Sequence, residues 1–310
     1  MFDLPDDWVW DFWLADDGST FHLFFLKAPR TLGDSDLRHD HASIGHAVSP
    51  DLHRWRLVAD PVHPQPGDCD DLATWTGSVV RDGEGWRMFH TGRTHADRGR
   101  VQRMVSSTSP DLVTWARDDG PSWPLSADPR HYDVGEGTVH WRDPWVVRAV
   151  DGVWHLYATA RVAGTGVVGH AVSDDLCSWR VQPPLSEPTG RFDWLEVISV
   201  VEVEERWVLL FSCLSAEMPG SAPGDGGVWS VPVDGPGTEV DVAAAVRLTD
   251  ESRYVGKVVQ DRSGEWQFLA FVNQDDDGRF TGGVTDPVPV RWRADARGLE
   301  LDMAPSGGGG

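Results

Sequence analysis

Three short stretches carry side chains able to do acid–base chemistry: Trp8-Val9-Trp10-Asp11, Trp141-Arg142-Asp143-Pro144-Trp145 and Trp194-Leu195-Glu196. Each sets a carboxylate within three residues of a tryptophan, at the head of an apolar run. Taken singly, such a carboxylate reads as a solvated residue at the start of a strand. Gathered on one cavity, three of them would repel one another and their pKa values would spread apart, so that a protonated acid and an ionised base coexist near neutrality. One carboxylate could then attack or activate water while another donates to a leaving oxygen, the division of labour that glycoside hydrolysis needs. Tryptophan, at 17 residues against three tyrosines, would supply stacking faces for sugar rings and apolar walls around the acid.

Internal repetition supplies a means of bringing the three together. Five times a turn carrying Asp, Gly, Glu or Ser runs into an aromatic and an apolar strand: Asp17-Gly18 before Phe21, Asp82-Gly83 before Trp86, Asp151-Gly152 before Trp154, Glu205 before Trp207, and Ser263-Gly264 before Trp266. Each is a hairpin signal. The pattern Ser-x-Asp-Leu-x-x-Trp recurs at Ser49 to Trp55, Ser109 to Trp115 and Ser173 to Trp179. It reads as a structural turn whose Leu and Trp wedge between adjacent sheets. Units of about 60 residues, built of short strands with few helical stripes, predict an all-β fold, a five-bladed β-propeller with a central funnel-shaped active site. One domain is expected over residues 1–305, with a flexible Gly-rich tail at 306–310. Pro61 to Gly67, Asp119 to Val139 and Ser215 to Gly227 read as surface loops.

In a propeller the first strand of every blade lines the channel, so residues near its start converge. Those strands open at Trp8, Trp75-Thr76-Gly77-Ser78, Trp141, Trp194 and Tyr254-Val255-Gly256-Lys257. Asp11, Asp143 and Glu196 are therefore the candidate catalytic residues. Glu202, Glu204 and Glu205 fall at or beyond the hairpin turn, whereas Glu196 precedes its hairpin aromatic by the same interval as Asp143. A calcium site built from the three acids is the rival reading. The Asp-x-Asp-x-Asp loop such a site commonly uses is absent, and Asp275-Asp276-Asp277-Gly278 reads as a hairpin turn. No metal or cofactor is expected. A carbohydrate-binding propeller without catalysis would repeat its binding residues in every blade. Here the channel positions differ while the scaffold positions repeat, which favours one asymmetric catalytic site.

With 49 acidic and 27 basic residues the formal charge is −22, which disfavours nucleic acid and anionic membrane surfaces as partners. The expected partner is a small carbohydrate; the oligomeric state is open. Cys69, Cys177 and Cys213 are too few for a disulfide framework and are expected to be reduced. The N-terminus lacks a basic region followed by an apolar one, and no apolar run is long enough to span a bilayer, so a soluble cytoplasmic location is the expectation.

Gly45-His46-Ala47-Val48-Ser49 with Asp51, Leu52 and Trp55, then Trp75-Thr76-Gly77-Ser78 and Trp141-Arg142-Asp143-Pro144, resemble the successive motifs of the β-fructosidase group, glycoside hydrolase family 32. Val9-Trp10-Asp11-Phe12-Trp13 is more similar to the related levansucrase family 68. The resemblance covers about residues 8 to 270. It implies a five-bladed propeller that acts on fructosyl units with retention of configuration and without a cofactor. Asp11 would be the nucleophile and Glu196 the general acid/base. Asp143 would hold two sugar hydroxyls and stabilise the transition state, with Arg142 orienting the carboxylates. Trp10, Trp75 and Ser78 would line the fructosyl pocket, and Lys257 would reach into it. The chain departs from family 32 in lacking an Asn-Asp-Pro-Asn-Gly signature in blade one and in having Glu196-Val197-Ile198 where Glu-Cys-Pro is usual; with the propeller expected to use the whole of this sequence, the family's C-terminal β-sandwich is not expected within it. The same fold serves the inverting arabinan- and xylan-cleaving family 43, the alternative within enzymes.

Overall fold

The computed structural model describes residues 1–302 except 121, 136 and 276. They form five antiparallel sheets of four strands each, with strands in simple chain order from the inside of each blade to its rim. The innermost strands are Asp7–Asp16, Ala73–Asp82, Trp141–Arg148, Glu196–Val203 and Arg253–Gln260. The only helical turns among the described residues are four short 3-10 segments, so the expected five-bladed propeller is the fold. The tail at 306–310 and Asp276 lie outside the described residues. No helix among the described residues is long and apolar enough to cross a membrane.

The three Ser-x-Asp-Leu-x-x-Trp segments fold alike. Asp51 Oδ1 accepts the backbone N–H groups of His53 and Arg54 at 3.1 and 2.9 Å, and Asp111 and Asp175 cap the following residues in the same way. The cap holds Leu52, Leu112 and Leu176 at φ of 65°, 64° and 64°, a left-handed conformation that costs a non-glycine residue. Burial offsets that cost, since all three leucines lie in the core. The indole N–H of Trp115 and of Trp179 bonds the carbonyl of its own turn's leucine. The motif is therefore scaffold, as its composition suggests.

The ring closes without a strand shared between its ends. Phe2 pairs with Val284 through two backbone hydrogen bonds of 2.8 and 2.7 Å, and Gly283 N–H reaches the Val9 carbonyl at 2.7 Å. Chain start and fifth blade are thereby stitched to the first blade. Asp275 organises a turn by accepting the N–H groups of Asp277 and Arg279 on one carboxylate oxygen. The three cysteines are free.

Candidate active site

Every innermost strand is interrupted at the same level. The pairing register with the second strand shifts between Trp10 and Phe12, between Trp75 and Gly77, opposite Tyr157 and Thr159, between Glu196 and Ser199, and between Tyr254 and Lys257. A β-bulge bends the strand and re-aims the side chains beside it, and here five bulges form a ring around the channel. The bulged residues are Asp11, Thr76, Asp143, Val197 and Val255. Three of them lie at positive φ, Asp143 at 59°, Val197 at 51° and Val255 at 53°. For the two valines this is a strained conformation that the surroundings must enforce. Gly77 has no alternative: a Cβ there would stand 2.1 Å from the Phe89 carbonyl oxygen.

A bulge leaves a backbone N–H without a ladder partner, and in three blades the preceding blade supplies one. Thr91 Oγ1 accepts from Asp143 N–H at 2.8 Å, Thr159 Oγ1 from Val197 N–H at 3.3 Å, and Ser212 Oγ from Val255 N–H at 3.0 Å. Each hydroxyl sits on a second strand, paired with the residue just before its own blade's bulge: Trp75, Arg142 and Glu196. The latches run from blade to neighbouring blade and lock the level at which the carboxylates emerge.

Above this ring lies a pocket of about 470 Å³, whose wall includes Asp11, Asp143 and Glu196, within the size range of small-molecule sites. Arg142 joins two of the acids, its guanidinium donating to Glu196 Oε1 at 2.6 Å and lying 3.3 Å from Asp143 Oδ2. The Tyr254 hydroxyl donates to Glu196 Oε2 at 2.7 Å, the Thr159 hydroxyl to Asp143 Oδ2 at 2.8 Å, and the Thr76 hydroxyl to Asp11 Oδ2. Burial, reinforced by the charge of Asp143, pushes the Asp11 carboxyl up from 3.8 to about 7. Burial also raises Asp143, to about 6, against the pull of Arg142. Trp194 covers the Arg142 guanidinium at 4.8 Å, a cation–π contact that walls the pair from water.

Trp10 and Trp75 both reach the pocket wall. Trp75 is fixed by its indole N–H on the His39 carbonyl at 2.7 Å and by Arg93 at 4.3 Å over its ring. Two expected pocket residues are not brought there. Ser78 is buried, and its hydroxyl accepts Val146 N–H at 3.2 Å across the blade boundary. Lys257 is only 3% exposed and lies below the wall, its ammonium 3.4 Å from the Val197 carbonyl. The bulge explains both: these residues follow it by two positions, where the strand has already carried the chain deeper into the channel.

The repeat position of Glu196 also needs correcting. The bulged residue of blade four is Val197, so Glu196 occupies the place of Trp10, Trp75, Arg142 and Tyr254, one step before the place of Asp11 and Asp143. Counting back from the hairpin aromatic fails because the turns differ in length: Val203 pairs with Arg206 around Glu204-Glu205, whereas Arg148 pairs with Trp154 around a longer loop. Among the wall residues with no place in the sequence reading of the site are Tyr254, Arg38 and Glu217. Tyr254 was legible as the aromatic opening the fifth inner strand. Arg38 comes from the 3-10 turn Ser35–Asp40 and Glu217 from the turn Ser215–Glu217, inside segments without periodicity. The Glu217 carboxyl is raised to about 7 by burial and by the neighbouring Glu196 charge. Arg38 lies 5.6 Å over the Trp10 ring and 3.8 Å over the Phe280 ring, and its Nε finds no acceptor among the described residues.

The five-bladed propeller thus brings Asp11, Asp143 and Glu196, from three different blades, onto the wall of one pocket. The sequence profile of the glycosyl hydrolases family 32 N-terminal domain matches residues 14–282, and the chain belongs to that family. The match begins just past Asp11. Among solved structures the fold is similar to the β-fructofuranosidase of Bombyx mori (17% identity, TM-score 0.73, 98% of this chain and 64% of that one) and to fructan 1-exohydrolase IIa of Cichorium intybus (19%, 0.72, 97% and 59%). It is also similar to the inulosucrase of Halalkalicoccus jeotgali, solved bound to kestose (19%, 0.75, 96% and 88%). The chain spans about three fifths of the length of the first two proteins.

Proposed function

We propose that this protein is a retaining glycoside hydrolase acting on β-fructofuranosides such as sucrose, fructo-oligosaccharides or fructans. The observation that carries the reading is the convergence of Asp11, Asp143 and Glu196 on one pocket, with Arg142 bridging the last two. In the first step an Asp11 oxygen attacks the anomeric carbon of the fructosyl unit. The glycosidic C–O bond breaks, and the proton of Glu196 passes to the departing oxygen, giving a fructosyl ester of Asp11. In the second step Glu196 takes a proton from water, the water oxygen attacks the same carbon, and Asp11 is released. A sugar hydroxyl in place of water gives fructosyl transfer by the same route, so the occupant of the acceptor site decides between the two outcomes.

Both oxygens of Glu196 accept hydrogen bonds here, one from Arg142 and one from Tyr254. When Glu196 carries the proton, the Tyr254 hydroxyl must turn away or accept. Asp143 is buried and held by Thr159 and its own latched backbone; in this reading it grips sugar hydroxyls beside the reacting carbon. Trp10, Trp75 and Arg38 line the same pocket and offer it aromatic faces and a positive charge. The test is a panel of sucrose, inulin, levan and aryl arabinofuranosides. Fructose release is expected from one or more of the first three, abolished by Asp11→Asn and by Glu196→Gln with the fold intact. Turnover of arabinofuranosides alone, or full activity in both variants, would overturn the proposal.

A further inference from the structure

We propose that Lys257 is a positioning residue: a buried ammonium beneath the pocket floor that braces the bulged backbone behind Glu196 and favours the anionic form of Asp11. The inference rests on Asp11 being the nucleophile. Lys257 and Lys27 are the chain's two lysines, and they sit in opposite settings. Lys27 pairs with Asp60 at 2.8 Å near the surface. Lys257 is buried with no carboxylate within ion-pair distance among the described residues; its ammonium donates to the Val197 carbonyl at 3.4 Å and lies 4.7 Å over the Trp145 ring. An ammonium is expensive to bury, and at this level the other four blades place Trp13, Ser78, Trp145 and Ser199, all uncharged. A scaffold role alone would be met by any of those.

Two consequences follow from where the lysine sits. The contact with the Val197 carbonyl joins blade five to the strained bulge at φ 51° that directly follows Glu196, so the ammonium braces the backbone from which the acid/base projects. Its charge also bears on Asp11 and Asp143, the two carboxyls that favour its protonated form against the desolvation that opposes it. Attraction between charges is mutual, so the ammonium favours the Asp11 anion in turn. The groups that act most strongly on Asp11 are Asp143 and Glu196, which oppose its ionisation, and the Thr76 hydroxyl and Arg38, which support it, so the lysine adds a weaker pull in the second direction. Arg38 lies on the pocket wall, where an arriving sugar competes for it. Lys257 is buried away from the pocket wall, so an arriving sugar does not compete for it.

With two lysines in the chain, selective 13C labelling at lysine Cε gives two resonances to follow by NMR. One should titrate near 7, vanish in Lys257→Met, and move down by one pH unit or more in Asp11→Asn; the Lys27 signal should not respond to Asp11→Asn. In activity assays Lys257→Met should shift the acidic limb of the kcat/KM profile up by about one pH unit and lower kcat about tenfold at pH 6, with KM within twofold. Lys257→Arg should recover part of both. A Lys257 resonance indifferent to Asp11→Asn, or an acidic limb unmoved in folded Lys257→Met, would overturn the proposal. If Lys257→Met does not fold, the titrations of the unsubstituted protein and of Asp11→Asn decide it alone. Should no fructoside be turned over, the functional reading fails, while the NMR coupling still tests the link between the two side chains.

Discussion

Replacing Asp11 by Asn should abolish turnover and at the same time make the protein more stable at alkaline pH. The fold raises the Asp11 carboxyl from 3.8 to about 7, chiefly by burial and secondly by the charge of Asp143. Because the folded pKa is the higher one, the folded state holds a proton that the unfolded chain has already lost. Stability attributable to this group is therefore full below about pH 4, declines as pH rises, and is lost above about pH 7. At about 1.4 kcal/mol for each pH unit the penalty has a ceiling of about 4 kcal/mol. The carboxyl borders an open, wet pocket, and solvent screening brings the expected gain to about 2 kcal/mol, or about 4 °C in Tm. Asn keeps an oxygen to accept the Thr76 hydroxyl, so no hydrogen bond is sacrificed. Thermal melts followed by circular dichroism at pH 8 and pH 5 provide the assay. At pH 5 less than half of the penalty has developed, and the gain should shrink in proportion. A variant no more stable than its parent at pH 8, or one that gains more at pH 5, would refute the argument that the fold holds Asp11 at a cost once it ionises.

Ser78→Ala tests the displacement of Ser78 from the pocket. Removing the acceptor of Val146 N–H between blades two and three should cost about 1 kcal/mol in urea unfolding and leave KM unchanged; a raised KM would return Ser78 to the binding surface. Arg142→Lys keeps the charge but loses the fork that reaches Glu196, Asp143 and Gln102 together. It should lower kcat/KM by about a hundredfold, roughly 3 kcal/mol of transition-state stabilisation, and activity within threefold of the parent would mean that the bridge is dispensable.

The propeller was legible because its signals are local: Asp-Gly turns before an aromatic, and a Ser-Asp pair that caps a buried leucine, recur without help from distant contacts. The carboxylates were legible because repetition pointed to the innermost strands. What sequence could not show is the ring of bulges. A single inserted residue per strand sends Ser78 and Lys257 deeper instead of into the pocket, and it puts Glu196 in register with Arg142 rather than Asp143. Nor could spacing reveal that Thr91, Thr159 and Ser212 satisfy the bulges of the next blade, since that bond exists only once two blades are packed. Arg38 and Glu217 arrive on irregular turns whose course depends on tertiary contacts, and no period marks them.

The central claim is that Asp11 attacks the fructosyl carbon directly while Glu196 manages the proton. The most direct test is the configuration of the first sugar released, read by NMR within the first turnovers on a β-fructofuranoside before the product mutarotates. Double displacement predicts β-fructofuranose as the initial product. Initial release of the α-anomer would mean a single displacement by water, and it would contradict the assignment of Asp11 as a nucleophile.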